Sequence, residues 1–571
     1  MKNLTRLFVL LLAAVLVSSC SSLAKMKKNA DKVQYEVTPK VLEAHGGMVA
    51  AQVKATYPAK YFDKKATLKV TPVLTYEGGE TAFDQLLYAQ GEQVQSNNKT
   101  INWTGGTVTW SGSIPYKPEM KVSEFKLKIE GTKKGKTLVF DPVKLADGVI
   151  ATSTLVEDNA KAITLKDAYQ RIIPDQKVAD ILYQINRSDI QPKELKSEDI
   201  AALKDYLAQL AQDPSKQLTG FTTSSYASPD GTVELNTKLS EKRGETATKF
   251  VGKEFGKNPA LADKNLLKNQ TTAEDWDGFK SLVQGSSMQD KDLILRVLSM
   301  YQDPNVREKE IKNMSAAFET LKTDILPKLR RSKFIVDANL IGLSDDQILE
   351  AMRSGNVENL TLEHMLYAGS LTKDPQEMLK FYQMAADKDP KCYRAWNNVG
   401  VADLYLGKAD DAIVALEKSK AIKNDDVVKN NLGFAKLMKG DLAGAKEYFN
   451  SMSASTVESK YGLGVIAIHE GNYDQAVNLL GTEPSFNLAL AQLLKGDLSK
   501  AKVTLDALKA CKCGTPSYLK AVCGARLGDR DYMLNNLREA VGYNAKWKDY
   551  AKTDLEFAKY FADETFTTIV K

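Results

Sequence analysis

The sequence predicts a multidomain chain: an N-terminal β-sandwich, an α/β module carrying a helical insertion, and a C-terminal all-α solenoid. Three observations predict it. Between residues 33 and 150, short runs alternate apolar and polar side chains with period two. Around residues 218–247 a strand, a tight turn and an amphipathic helix follow one another. Beyond residue 345, Gly-x-x-x-x-Ala recurs with glycine-to-glycine intervals of 33, 31, 25 and 32. A chain of 571 residues has room for three or four domains. Its 43% hydrophobic content is ordinary for globular domains.

The N-terminus sets the compartment. Lys2 and Arg6 precede an apolar run from Leu7 to Val17, then Ser18, Ser19 and Cys20. The run is shorter than the roughly 20 residues of a spanning helix and fits a removable secretory signal over 1–19. Small and basic residues over 20–32 read as a flexible tether.

Within 33–155, Thr67–Thr71, Thr107–Trp110 and Phe125–Ile129 are the clearest strands. Pro72 is expected to end the first, because proline offers no backbone donor to a ladder. Gly131 to Gly135 marks a hairpin, and short strands with regular turn signals suggest the sandwich. Trp103 and Trp110 read as sheet packing, and no site is assigned to this region.

The α/β module is placed at 160–343. Ile181–Asn186 reads as its first strand. Ser197 is an N-cap for a helix running to about Gln212, with Leu203, Leu207 and Leu210 on one face. Leu218–Ser225 is the second strand and delivers Tyr226-Ala227-Ser228-Pro229-Asp230-Gly231 into a turn. Proline fixes φ there and glycine permits positive φ. The next helix starts near Val233 and carries Asn236, then Leu239-Ser240-Glu241-Lys242-Arg243. Residues 258–328 are expected as a helical insertion that packs on the module, with Thr271 and Glu274 as a capping box. Arg330–Leu340 is the last strand.

The repeats occupy 345–571. The turn glycines are Gly407, Gly440, Gly471, Gly496 and Gly528, with Ala412, Ala445, Ala476 and Ala501 after the first four and Met533 after the last. Ahead of them lie Val399-Gly400, Leu432-Gly433, Leu463-Gly464, Leu488-Ala489 and Ala521. Small residues let paired helices approach closely, and the interval of 25 implies one shortened second helix near Gly481-Thr482-Glu483-Pro484. Residues 366–390 read as an imperfect earlier copy.

These residues carry three resemblances. Val17-Ser18-Ser19-Cys20 resembles a bacterial lipobox, which implies acylation of Cys20 and a Bacteroidetes-type outer-membrane lipoprotein. No acidic run of the surface-export type follows Cys20, so the expected orientation is periplasm-facing. The repeats resemble the tetratricopeptide repeat, whose period is about 34; a groove for unidentified envelope proteins is what that implies. The ordered set Ser228-Pro229-Asp230-Gly231, Asn236 and Leu239 to Arg243 resembles the OmpA C-terminal-like family, which grips the diaminopimelate of peptidoglycan. That resemblance implies that Asp230 takes the ligand ammonium and Arg243 clamps its carboxylate bidentately. Asn236 is then expected to bind the peptide or brace the loop. Taken singly, an Asp-Gly turn and a helical arginine are ordinary. The stretch between Asp230 and Arg243 is also about two residues shorter than in typical members, and Gly244 replaces the usual alanine.

Composition narrows the alternatives. A net charge of +6 with no basic, aromatic-interleaved stripe argues against a nucleic-acid partner. His45, His364 and His469 are isolated, so no metal or cofactor is expected. No Ser/His/Asp set or phosphate loop stands at recognisable spacing, and a non-enzymatic role is expected. Cys392, Cys511, Cys513 and Cys523 read first as small core residues, with a bridge from Cys511 or Cys513 to Cys523 as the alternative. Two functions follow: a wall-binding lipoprotein that scaffolds envelope proteins, or a protein-only scaffold or secretion accessory with a degenerate module.

Overall fold

The computed structural model describes residues 22–509 and 511–571, apart from the side chains at 315 and 316. The signal segment and Cys20 lie outside the described residues. The chain divides into two compact units. One joins the residues up to Lys166 with Thr372–Lys571; the other is Asp167–Leu371.

In the first unit, two sheets enclose one core. The first runs Gln34–Thr38, Met48–Tyr57, Leu42–His45, Val149–Ile150, with Gly106–Pro115 also pairing Met48–Tyr57. The second runs Lys136–Val139, Ser123–Lys133, Ala66–Tyr76, Leu87–Gly91, Lys99–Ile101, with Val143–Asp147 and Gly79–Ala82 on its flanks. Val49, Val53, Leu68, Val70, Phe125 and Leu127 meet in the shared core. The strand does not stop at Pro72. Residues 67–70 pair with 87–90 and residues 73–76 with 79–82, so Pro72 falls where that edge changes partner and no ladder acceptor waits for its missing N–H. Lys134 and Gly135, both at positive φ, make the tight turn between Ser123–Lys133 and Lys136–Val139. Residues 22–28 are helical rather than a free tether, because Leu23 and Met26, three apart, bury into this core.

The same unit holds five helix pairs: Tyr393–Tyr405 with Ala409–Ile422, Asp426–Met438 with Leu442–Asn450, Val457–His469 with Tyr473–Leu480, Phe486–Lys495 with Leu498–Asp506, and Thr515–Leu527 with Arg530–Tyr543. The repeat spacing therefore maps onto paired helices. Gly407, at φ 74°, ends the first helix of its pair in the left-handed conformation that glycine adopts without strain. Close approach explains Gly433, where a Cβ would sit 2.5 Å from the Phe449 ring. The second helix of the third pair has eight residues against 14 in the first, as its short interval implies. Pro375–Lys388 stands ahead of the pairs, whereas Leu362–Leu371 belongs to the other unit. Cys511 is bridged to Cys513, not to Cys523; Cys523 is buried in the solenoid core, its thiol pushed up to about 11 by burial. The sheet domain docks along the C-terminal part of the solenoid, from Tyr473, which His45 meets at 3.1 Å, to Glu556. Lys121 lies over the Tyr550 ring, and the Thr152 hydroxyl and Arg526 share the buried Glu556 carboxylate.

The second unit is built on a four-stranded sheet and two long helices, to which the insertion and two later helices are added. The sheet and its two long helices are β1 (Ile172–Leu182), α1 (Glu198–Gln212), β2 (Lys216–Tyr226), α2 (Val233–Phe255), β3 (Leu267–Thr272) and β4 (Arg331–Ile341). The order is β1-β4-β2-β3; β2 and β3 are parallel and the other pairs antiparallel. Ile181, Leu203, Leu207, Phe221, Phe250, Phe334 and Val336 form its core. Ser197 caps α1 through the Ile200 N–H. Three expectations change. The first strand lies at 172–182, not 181–186. The insertion is not wholly helical, since 267–272 forms β3. Thr271 therefore belongs to a strand, and Asp275, not a Thr271/Glu274 box, caps Trp276–Gln284 by accepting from the Gly278 N–H at 2.8 Å. Beyond that cap the insertion has its own core of Phe279, Val283, Ile294, Leu298, Leu321 and Leu326.

Candidate functional site

Asp230 lies in the turn between β2 and α2, Asn236 in the first turn of α2 and Arg243 two turns further along the same helix. Thr232 caps α2 by accepting from the Leu235 N–H, which fixes the helix start just after the Asp230 turn. Asn236 is 3% exposed and donates to Gly231 O at 3.0 Å and to a Glu274 carboxylate oxygen at 3.3 Å. It braces the turn.

Arg243 is 1% exposed. Its Nε donates to Arg187 O at 3.0 Å, one terminal nitrogen to Tyr226 O at 2.9 Å and the other to Gln184 O at 3.4 Å. Its guanidinium lies 5.1 Å from the centre of the Tyr183 ring. Burial, the largest cause, pulls its pKa down to about 10; Tyr183 and Asp230 oppose the shift and Arg330 adds to it. Arg243 thus joins α2 to the end of β2 and to the loop after β1.

Asp230 is held by a residue to which the sequence reading gave no site role. Arg330, just before β4, donates from a terminal nitrogen to Asp230 Oδ2 at 2.9 Å and from Nε to Ser228 Oγ at 3.2 Å. Ser228 also donates to the other carboxylate oxygen of Asp230. The adjacent Arg331 pairs with buried Asp275 at 2.8 Å. The register pairing Ser225 with Ser332 accounts for Arg330: it carries the residues before β4 alongside the turn after β2. The only sequence signal was the Arg330-Arg331 doublet. Arg330 is thus bonded to the Asp230 carboxylate, while the nearby Arg243 is bonded to main-chain oxygens.

A second set of polar side chains lies in the first unit, on the first helices of successive pairs. Asn398, Asn431 and Asn487 each stand two residues before the small residue of their repeat, Gly400, Gly433 and Ala489. All three are buried and all bind the main chain of residues 157–165. Asn398 accepts from Leu165 N at 2.7 Å and donates to Leu165 O at 2.9 Å. Asn431 takes both main-chain groups of Ile163 at 2.8 Å, and Asn487 those of Glu157 at 3.0 and 2.7 Å. The first-helix surface of the solenoid is thus occupied by the chain's own segment.

Among the described residues, no group of three or more His, Cys, Asp or Glu is arranged to hold a metal, and no helix is long and apolar enough to cross a membrane. No family model and no curated protein matches the chain. Solved structures to which the chain is similar include three repeat-containing or assembly proteins. A tetratricopeptide repeat protein from Parabacteroides merdae shares 14% identity, covering 37% of this chain and 91% of its own, with a TM-score of 0.30. PilW, a widely conserved type IV pilus biogenesis factor, shares 17%, covering 40% and 96%, at 0.26. The Cut9–Hcn1 hetero-tetramer of APC/C shares 14%, covering 65% and 82%, at 0.31.

Proposed function

We propose that this chain is a non-enzymatic, lipid-anchored protein of the periplasmic face of the outer membrane. Its α/β module, read as OmpA-like, grips the diaminopimelate peptide of peptidoglycan, and its tetratricopeptide-type repeats contact envelope proteins. The observation that carries the wall-binding reading is the placement of Asp230, Asn236 and Arg243 along the turn after β2 and the start of α2, with Arg330 bonded to Asp230. In this reading the ligand ammonium displaces Arg330 from Asp230, and the freed guanidinium takes a carboxylate of the ligand. The anchor rests on the lipobox pattern ending at Cys20.

Cosedimentation with diaminopimelate-type sacculi tests it, comparing the mature chain with Asp230→Asn, which keeps the shape of the turn. Bound fraction is expected to fall at least tenfold, with amide protection in β2 and β4 unchanged. Equal binding by the variant removes the pocket from the reading. No binding by the wild type leaves the second reading, a protein-only scaffold with a degenerate module. One observation favours that second reading: Arg243 is almost fully buried, its bonds already taken by its own backbone.

A further inference from the structure

Residues 156–166 connect the sheet domain to the module and form neither helix nor strand. Their main-chain groups are taken by solenoid side chains. To the three paired asparagines are added Asn397 to Ile163 O at 3.1 Å, Asn430 to Lys161 O at 3.1 Å, Tyr405 to Ala162 O at 3.3 Å and Arg394 to Lys166 O at 3.2 Å. Ala160, Ala162 and Leu165 pack on the solenoid core beneath them. At one end Asp158 meets His469 Nε2 at 2.7 Å, and Lys161 lies over the Tyr461 ring.

Three features make this a recognition site rather than incidental packing. An asparagine amide offers a donor and an acceptor in one plane, so it satisfies the N–H and C=O of a single ligand residue together. The asparagine recurs at the same repeat position in three pairs. Where the third pair has Gly462 instead, no such paired contact forms, and in the fifth pair, beyond the segment's contacts, the position is Leu519. Each asparagine is also fully buried with the segment in place, and there both sides of its amide are met by the main chain of one residue.

We propose that the first-helix surface of the solenoid is a main-chain-reading peptide site, closed in the resting chain by residues 157–165 acting as a ligand in cis. The ligand class is a peptide without internal hydrogen bonds. It has no proline at the positions of Glu157, Ile163 and Leu165, where an N–H is needed. It carries small or aliphatic side chains at the positions of Ala160, Ala162 and Leu165, and an acid where Asp158 meets His469. A partner that uses this surface presents such a segment and displaces the resident one. This deepens the protein-contact half of the proposed function and is independent of the wall-binding half, so sacculus binding does not depend on its outcome.

The probe is a dye-labelled peptide copying residues 155–167, added to the full mature chain and read by fluorescence anisotropy. In a variant with 157–165 replaced by a glycine–serine segment of equal length, the peptide is expected to bind. A tethered ligand competes at an effective concentration on the order of millimolar, so the wild type is expected to bind at least tenfold more weakly. Adding Asn398→Ala and Asn431→Ala to the vacated chain is expected to abolish binding. Equal binding by wild-type and vacated chains, or undiminished binding after the asparagine substitutions, overturns the proposal. Should the vacated chain not fold, the double asparagine variant with its native segment serves. The Ile163 and Leu165 amides are then expected to exchange at least tenfold faster, with Thr515–Tyr543 unchanged; unaltered protection overturns the proposal.

Discussion

Replacing Arg243 by alanine is expected to destabilise the α/β module by about 3 kcal/mol, whatever the module binds. The substitution strips a charged donor from three carbonyl oxygens, those of Arg187, Tyr226 and Gln184. Losing a charge-assisted bond at a buried carbonyl costs about 1.5 kcal/mol each. Against this, part of the loss is recovered because the charged guanidinium, whose pKa burial has lowered to about 10, no longer sits out of water. Arg243→Lys retains the charge but not the fork, and its expected loss is about half as large. The assay is amide exchange in β2 and β4 of the full chain, which reads the opening free energy of this unit. Protection is expected to fall about a hundredfold, at 1.36 kcal/mol per decade. A change within fivefold refutes the reasoning and returns Arg243 to the role of an open clamp. Lost sacculus binding in Arg243→Ala therefore does not by itself identify a ligand contact, which is why Asp230→Asn is the sharper test.

Two further outcomes are expected. Gly433→Ala places a Cβ 2.5 Å from the Phe449 ring, which Gly462 confines from the other side, so overpacking is expected to cost about 2 kcal/mol in amide exchange of Asp426–Met438; a neutral result denies the close approach. Asp403 is raised to about 6, first by burial and then by Asp411, near the C-terminal end of its helix. A carboxyl raised when folded gives stability that is full below the unfolded value near 3.8 and lost as pH rises through 6. Asp403→Asn is therefore expected to stabilise the solenoid at pH 7 by about 1 kcal/mol and to make no difference at pH 3.5. Equal denaturation midpoints at both pH values count against it.

Much of the fold was legible because it rests on local rules. The Ser197 cap, the α2 start after Pro229-Asp230-Gly231 and the turn glycines of the repeats each need only a few neighbouring residues. What was missed depends on distant pairing. Leu267-Lys268-Asn269-Gln270-Thr271-Thr272 lacks apolar alternation, since it is an edge strand with largely exposed side chains, specified by the backbone of β2. Arg330 reaches Asp230 only through the β2–β4 register, across 100 positions of sequence. The asparagines of the first helices look like solvated polar residues until residues 157–165 are laid against them. Pro72 misled because its effect depends on which edge of the strand it faces.

The two arginines near Asp230 are not equivalent, and the difference decides how a ligand can enter. Arg243 is bonded to main-chain oxygens, which the strand and loops hold fixed. Its guanidinium has five N–H donors, three of them used, and 1% exposure leaves the others little access. Arg330 is bonded through side chains, Ser228 and Asp230, whose rotamers can change where main-chain oxygens cannot, provided a ligand re-pairs both charges. An incoming ammonium replaces one cation with another at Asp230 and leaves the local charge unchanged. An incoming carboxylate alone would have to compete with Asp230 for Arg330. A zwitterionic end group meets both requirements at once, satisfying Asp230 with its ammonium and the displaced Arg330 with its carboxylate. On the proposed reading, Arg330 is therefore the mobile half of the grip and Arg243 the frame that keeps the Asp230 turn in place.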